Sequence, residues 1–246
     1  MSIKSLLKSD FDFLGFFKSV RYKRDFARSH PSYFDPCGLL VFCGPQGSGK
    51  TLSAVKYVKH VLDLYPKCIL VSNVDIKGLD HIDVRPYADN PIGSVTNGFD
   101  GVLYLIDEIH LEFNSLESKS ISIEEMTEFA QQRKQRVHIV GTSQVFMRLA
   151  KPLREQIKNV VVCKNYFGLI QHNILIDGES AVEDNGQLSA KVLGNFWFCH
   201  NPDLYTCYDT FSKMQRYRGK IPNRQGFSLP YDNNSPNVNS VKRLRG

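Results

Sequence analysis

None of the six cysteines (Cys37, Cys43, Cys68, Cys163, Cys199 and Cys207) stands in a C-x-x-C pair. The usual ligand spacing of structural zinc is therefore missing, and a zinc site has little support. Cys43, Cys68 and Cys163 fall instead in apolar, strand-like runs and read as buried thiols of a reducing, intracellular setting. No segment reaches the ~18 consecutive apolar residues of a membrane-crossing helix. The first apolar residues are interrupted by Lys8, Asp10 and Asp12, so a secretory signal is not expected. No internal repeat is legible. Extreme charge is lacking too: the net charge is +6 over 246 residues. That balance is compatible with nucleic acid or an anionic membrane and identifies neither. A hydrophobic fraction of 42% with 23% charged residues suits a soluble α/β domain with additions.

Against these absences stands GPQGSGKT at 44–51, which fits the phosphate-binding pattern G-x-x-x-x-G-K-[ST]. Its context is right. The apolar run 39–43 ahead of it reads as a buried strand. Behind it, Leu52, Val55, Val58, Leu62 and Tyr65 fall at helical spacing. Such a loop, formed by Gly44, Pro45, Gln46, Gly47, Ser48 and Gly49, wraps a polyphosphate with its backbone N–H groups, and the helix N-terminus favours the anion. Lys50 reaches the β- and γ-phosphates, and Thr51 ligates Mg²⁺.

A second run, GVLYLIDE at 101–108, reads as a core strand of a parallel sheet ending in two carboxylates. Acids at the carboxyl end of such a strand lie where open α/β sheets bind ligands. Asp107 is the expected metal-binding acid, and Glu108 the group that orients and polarises the attacking water.

The chain divides by pattern into four parts. Residues 1–38 form an arm in which Phe11, Phe13, Leu14, Phe16 and Phe17 precede Lys18, Arg21, Lys23, Arg24 and Arg28. An aromatic patch beside basic residues suits a neighbouring subunit, a membrane surface, nucleic acid or the arm's own core. Residues 39–165 form the nucleotide core. Strands are expected at 39–43, 68–73, within 101–108, at 137–142 and at 159–163. A helix is expected at 123–136 behind a Ser122/Glu125 capping box, with a loop-rich connection at 75–100 and a helical stretch broken by Pro152 within 146–157. Strands alternating with helices give a parallel sheet flanked by helices. Residues 166–218 carry short β-like runs at 169–176, 189–198 and 205–211, separated by Asp177-Gly178, Asn185-Gly186 and Asn201-Pro202. They read as an antiparallel extension of the same domain. Residues 219–246 form a basic tail rich in Pro, Asn, Gly and Ser.

Three features narrow the choice among nucleotide-binding branches towards a ring-forming motor. They are the Asp107-Glu108 pair, Gln144 at the end of the following strand, and the basic run 131–136. Gln144 is placed to sense the terminal phosphate. Arg133 or Arg136 is a candidate to enter a neighbouring subunit's site, the alternative being a solvated basic helix face.

The motifs GPQGSGKT (44–51), VSN (71–73), VLYLIDEIH (102–110), RVHIVGTSQ (136–144) and LREQIKNVVVCK (153–164) resemble the HerA-FtsK superfamily of P-loop ATPases. Within it the chain looks like viral genome-packaging ATPases and the zonular occludens toxin-like assembly ATPases of filamentous phages. Tyr208-Asp209-Thr210 is similar to that group as well. The resemblance covers roughly 39–212 and implies ATP and Mg²⁺ as cofactors. It implies Lys50 and Thr51 as binders, Asp107 as metal acid, Glu108 as base, Gln144 as sensor, Arg136 as the first trans-acting arginine and Arg133 as the second. Arg154 fits either a subunit contact or the nucleotide site. The implied partners are a homo-oligomeric ring of five or six subunits, DNA gripped without sequence reading, and capsid or assembly-complex proteins. The implied setting is the host cytoplasm or the virion. No membrane span follows the core, which favours a packaging motor; a peripheral membrane contact through the arm keeps the phage-assembly reading open. A nucleotide-dependent scaffold or switch is the alternative of another class.

Overall fold

The computed structural model describes residues 12–113, 131–132, 134–184 and 187–209. The chain divides between residues 210 and 211, and its second unit lies outside the described residues. So do Phe11, the Ser122/Glu125 capping box, Arg133, Thr210 and the tail.

Helix α1 (Phe13–Ser29) is capped by Asp12, whose carboxylate accepts the N–H groups of Leu14 and Gly15. It has no buried residue, and Phe13, Leu14, Phe16 and Phe17 are 51–72% exposed. Its last turn is held by a ring cluster: Phe26 packs on His30 and edge-on to Tyr33, and Tyr33 meets Phe99. Phe34, just beyond, is fully buried in the core.

The core begins with β1 (Gly38–Cys43), followed by α2 (Lys50–Leu64) and β2 (Ile69–Ser72). Two short strands follow, β3 (Asp75–Ile76) and β4 (Val84–Pro86), then β5 (Val102–Ile106) and β6 (Val137–Ser143). The single turn α3 (Lys151–Arg154) leads to β7 (Ile157–Tyr166) and β8 (Ile170–Asp177). A small hairpin of β9 (Val182–Asp184) and β10 (Gln187–Ser189) precedes β11 (Val192–Cys199), α4 (Pro202–Thr206) and β12 (Tyr208–Asp209). Eight strands form one sheet in the order β11-β8-β7-β1-β6-β5-β2-β4. From β7 to β4 all neighbours are parallel, while β8 and β11 are antiparallel additions at one edge.

Alternation along the central strands divides the core into two layers. Leu40, Phe42, Leu70, Leu103 and Leu105 face α2 with Val55, Val58 and Leu62. Leu39, Val41, Val71, Tyr104, Ile106 and Ile139 face the other side, against Ile109, Phe146, Leu149 and Leu153. Both faces of the middle strands are therefore apolar, as a parallel sheet covered on both sides requires. Each fully buried Leu or Ile contributes roughly 1.5–3 kcal/mol.

A histidine is among the polar residues buried in this core. His138 on β6 has Nδ1 2.8 Å from the Gly38 carbonyl, which must accept its proton, so Nε2 accepts from the Tyr57 hydroxyl at 2.9 Å. Burial pushes the imidazole down to about 4 and the Tyr57 phenol up to about 12.

Three expectations are corrected. The connection 75–100 contains β4, which joins the sheet at its outer edge. Pro86 is tolerated there because only one side of an edge strand needs donors. Pro152 does not break a helix but lies in the first turn of α3, where a missing N–H costs nothing. The described part of the run 205–211, residues 205–209, does not add to the edge of the main sheet: Tyr205 and Thr206 close α4 behind its cap Asn201, and β12 crosses to pair with β3. Of the helix expected at 123–136, residues 131–132 and 134–135 are helical, while Arg136 is a turn residue at positive φ beyond it. The Asn185-Gly186 signal falls between two strands that pair antiparallel.

Candidate functional site

The loop 44–49 leaves the carboxyl end of β1 and delivers the chain into α2 through Gly49, at φ +79°. No side chain caps this helix, so its first N–H groups remain available to an anion. A side chain at Gly49 would be strained by that backbone and would also strike the Gln171 side-chain oxygen. Lys50 is only 7% exposed, and its ammonium folds back to donate to the Pro45 carbonyl at 3.0 Å. It thus sits across the mouth of the loop it would share with phosphate. Beneath the loop, Cys163 has its thiol pushed up to about 12 by burial, against the opposing influence of Ser53 and Lys50.

The two acids follow β5. Asp107, 5% exposed, accepts the Thr51 hydroxyl proton at 2.9 Å and that of Thr142 in a short hydrogen bond. Its backbone is held on both sides by Asn73, which donates to the Asp107 carbonyl at 3.0 Å and accepts its N–H at 2.8 Å. Glu108 is turned by a left-handed backbone, φ +56°, uncommon for a non-glycine residue. Its N–H donates to the Thr142 hydroxyl at 2.8 Å. Its carboxylate lies 3.3 Å from His110 Nδ1.

The strand order explains how these groups meet. β6 lies between β1 and β5, so its carboxyl end, carrying Thr142, Ser143 and Gln144, stands between the glycine loop and the acids. Gln46, Gly47, Gly49, Lys50, Thr51, Glu108 and Gln144 line one cavity of about 560 Å³. Asn165, Gly168, His200, Tyr205 and Tyr208 from the antiparallel extension and the chain beyond it complete the wall. Burial raises the Tyr208 phenol, and Cys207, Asp107 and Tyr205 raise it further.

Arg136 and Arg154 lie elsewhere. Arg136, at φ +59°, precedes β6 at the end of the sheet away from the cavity, about 25 Å of strand from Gln144. Its guanidinium packs 3.8 Å from the Tyr33 ring centre. Arg133 is outside the described residues. Arg154 lines a separate cavity of about 310 Å³ with Met147 and Glu179.

Asn73, Thr142 and His110 had no assigned role in the sequence. The position of Asn73 and Thr142 at the carboxyl ends of strands was the available signal. Gln171 had none, since alternating polar residues in an edge strand read as solvent-facing; here it is fully buried.

A parallel sheet with a glycine loop after one strand, acids after the strand two places away and a polar-ended strand between them is the fold of the P-loop NTPases. No family profile matches the sequence, and no curated protein matches it. Among solved structures, the N-terminal domain of zonular occludens toxin from Neisseria meningitidis is similar at 15% identity and a TM-score of 0.48, over 71% of this chain and 100% of that one. The genome packaging NTPase B204 of Sulfolobus turreted icosahedral virus 2, in complex with ATP-gammaS, is similar at 13% identity and 0.46, over 64% and 98%. The flagellar accessory protein FlaH from Methanocaldococcus jannaschii gives 12% identity and 0.38, over 62% and 83%. Each is a similarity in the course of the backbone.

Proposed function

We propose that this protein is a Mg²⁺-dependent ATPase. The observation that carries the reading is the convergence of Lys50, Thr51, Glu108 and Gln144 on one cavity, with Asp107 hydrogen-bonded to Thr51 beside it. The Thr51 hydroxyl and the Asp107 carboxylate are hard oxygen donors within 2.9 Å of each other, a donor set that suits Mg²⁺. When bound, the ion would neutralise charge on the phosphates. Lys50 would exchange the Pro45 carbonyl for the β- and γ-phosphate oxygens. Backbone N–H groups of the loop and of the first turn of α2 would hold the remaining phosphate oxygens. Glu108, aimed by its left-handed backbone and held through Thr142, would take the proton of the water that attacks the γ-phosphorus. Gln144, at the end of β6, would contact the terminal phosphate and register its loss.

We infer further that hydrolysis drives movement of DNA into a viral particle by a ring of such subunits. The motif resemblance supports this reading, and the net charge of +6 is compatible with it. DNA would be gripped through its backbone, so binding should weaken with salt. Arg136 or Arg133 would serve a neighbour's site. A second reading, an ATPase of filamentous phage assembly, is favoured by one observation. Helix α1 exposes Phe13, Leu14, Phe16 and Phe17 beside Lys18, Arg21, Lys23 and Arg24, a composition suited to an anionic membrane surface. Among the described residues no helix is long and apolar enough to cross a membrane. The test is the ATPase rate with and without double- and single-stranded DNA, alongside solution mass with and without nucleotide. DNA-stimulated turnover by an oligomer supports the motor. ATPase activity indifferent to DNA supports the assembly reading.

A further inference from the structure

The cavity has a wall that phosphate chemistry does not use. The acids and Gln144 stand on the β6-β5 side of β1, whereas β7 and β8 stand on the other side. A triphosphate laid through the glycine loop with its terminal phosphate towards Glu108 and Gln144 therefore leaves its nucleoside on the β7-β8 side. The groups found there are the Gly168 turn between β7 and β8, His200 and Tyr205.

Tyr205 is 47% exposed, yet its ring is not loose. Its hydroxyl shares its one proton between two acceptors, the Gly168 carbonyl at 2.8 Å and His200 Nδ1. The two rings meet edge to face, with centres 5.4 Å apart. His200 Nε2 lies 3.2 Å from the Gln171 side-chain oxygen. The Gln171 amide donates to the Ser48 carbonyl at 2.9 Å and to Asn173 at 3.0 Å, so its oxygen is the acceptor and His200 Nε2 carries the proton. Asn173 in turn accepts from Ser53 in the first turns of α2. A hydrogen-bonded chain thus runs from the aromatic wall to the glycine loop and fixes one against the other.

We propose that Tyr205, braced by His200 and Gly168, is the platform on which the base of the bound nucleotide stacks. The proposal rests on the ATPase reading above and specifies its ligand as a purine nucleoside triphosphate. A purine offers the larger face to the ring. The Tyr205 hydroxyl and both His200 ring nitrogens are engaged with one another, with Gly168 and with Gln171, so these two side chains hold the base by its face and do not by themselves distinguish adenine from guanine. Gln171 is a positioning residue that sets the distance between base and phosphates.

The experiment is calorimetric titration of the full chain, as wild type, Tyr205→Ala and Tyr205→Phe, with ATP, GTP and inorganic tripolyphosphate in the presence of Mg²⁺. Tyr205→Ala should weaken ATP and GTP by about 5- to 150-fold, the range of a lost base–aromatic stack, and leave tripolyphosphate unchanged. Tyr205→Phe keeps the ring and should keep most of the affinity for both nucleotides. A Tyr205→Ala variant that changes ATP and tripolyphosphate equally, or changes neither, overturns the proposal while leaving the phosphate cradle intact. Wild-type protein that binds neither ligand overturns the cradle, and the base platform with it.

Discussion

Thr51 donates its hydroxyl proton to Asp107 across 2.9 Å, joining the first turn of α2 to the end of β5 although 56 residues separate them. That contact puts the two expected metal-binding groups side by side. It exists because β6 spaces β1 from β5 by one strand, which brings both carboxyl ends over the same cavity.

Thr142 is the residue that β6 contributes to this junction. Its hydroxyl accepts the Glu108 N–H and donates to Asp107. Thr142→Val should lower turnover by about 10–100-fold, the usual effect of losing a group that orients a metal-binding acid. It should also cost ~1–3 kcal/mol of stability by orphaning a buried N–H. Thr142→Ser, which keeps the hydroxyl, should restore most of both, as read by steady-state kinetics and denaturant midpoints.

Gly47 and Gly49 separate backbone strain from packing. Their φ angles are nearly equal, +78° and +79°, but a Cβ at Gly47 meets nothing within 4 Å, whereas one at Gly49 meets Gln171. Gly47→Ala should cost about 1–2 kcal/mol, the strain of a left-handed residue. Gly49→Ala should cost more, and Gln171→Ala in the same chain should recover part of the excess. Thermal unfolding of the three variants checks this. Equal losses at the two glycines would mean that Gln171 does not press on the loop.

The parallel core was legible because its signals are local. An apolar run before a glycine loop, a helical period behind it and a strand ending at Asp107-Glu108 can each be read within about fifteen residues. The elements beyond 200 were not. Tyr205 sits in a β-rich window, yet Asn201 and Pro202 start a helix there, and the strand that follows pairs with Ile76, a partner no local pattern announces. The clamp of Asn73 on Asp107 was hidden for the same reason: its partner is 34 residues away.

His138 makes stability depend on pH with a definite sign. Its folded value, about 4, lies below the ordinary 6.5, so the folded state binds the proton less well than the unfolded chain. The contribution is whole above pH 6.5 and is lost as pH falls from 6.5 towards 4, reaching ~3 kcal/mol for a shift of this size. His138→Gln should flatten that stretch of the curve. Denaturant midpoints at pH 7, 6, 5 and 4 for both proteins measure the difference, and parallel curves would exclude His138 as the cause.

Arg136 stands at the end of the sheet away from its own cavity and packs on Tyr33, so any part in hydrolysis must be played in another subunit. Arg136→Ala should spare nucleotide binding and lower turnover. Mixed with Lys50→Ala, it should regain activity at junctions where an intact cavity faces an intact arginine, since such an arginine is worth about 10³–10⁵ in rate in related chemistry. No recovery in mixed assemblies of confirmed composition would move the assignment to Arg133.

The most direct measurement is single-turnover ATP hydrolysis by wild type and Glu108→Gln, with ATP binding measured on the same samples. Glu108→Gln keeps the shape and the N–H bond to Thr142 but removes the base. The account predicts that it binds Mg²⁺-ATP as wild type does and hydrolyses it about 10²–10⁴-fold more slowly. A fall of less than tenfold with binding intact, or a wild type that binds ATP without hydrolysing it, would contradict the assignment of this cavity as an ATPase site with Glu108 as its base.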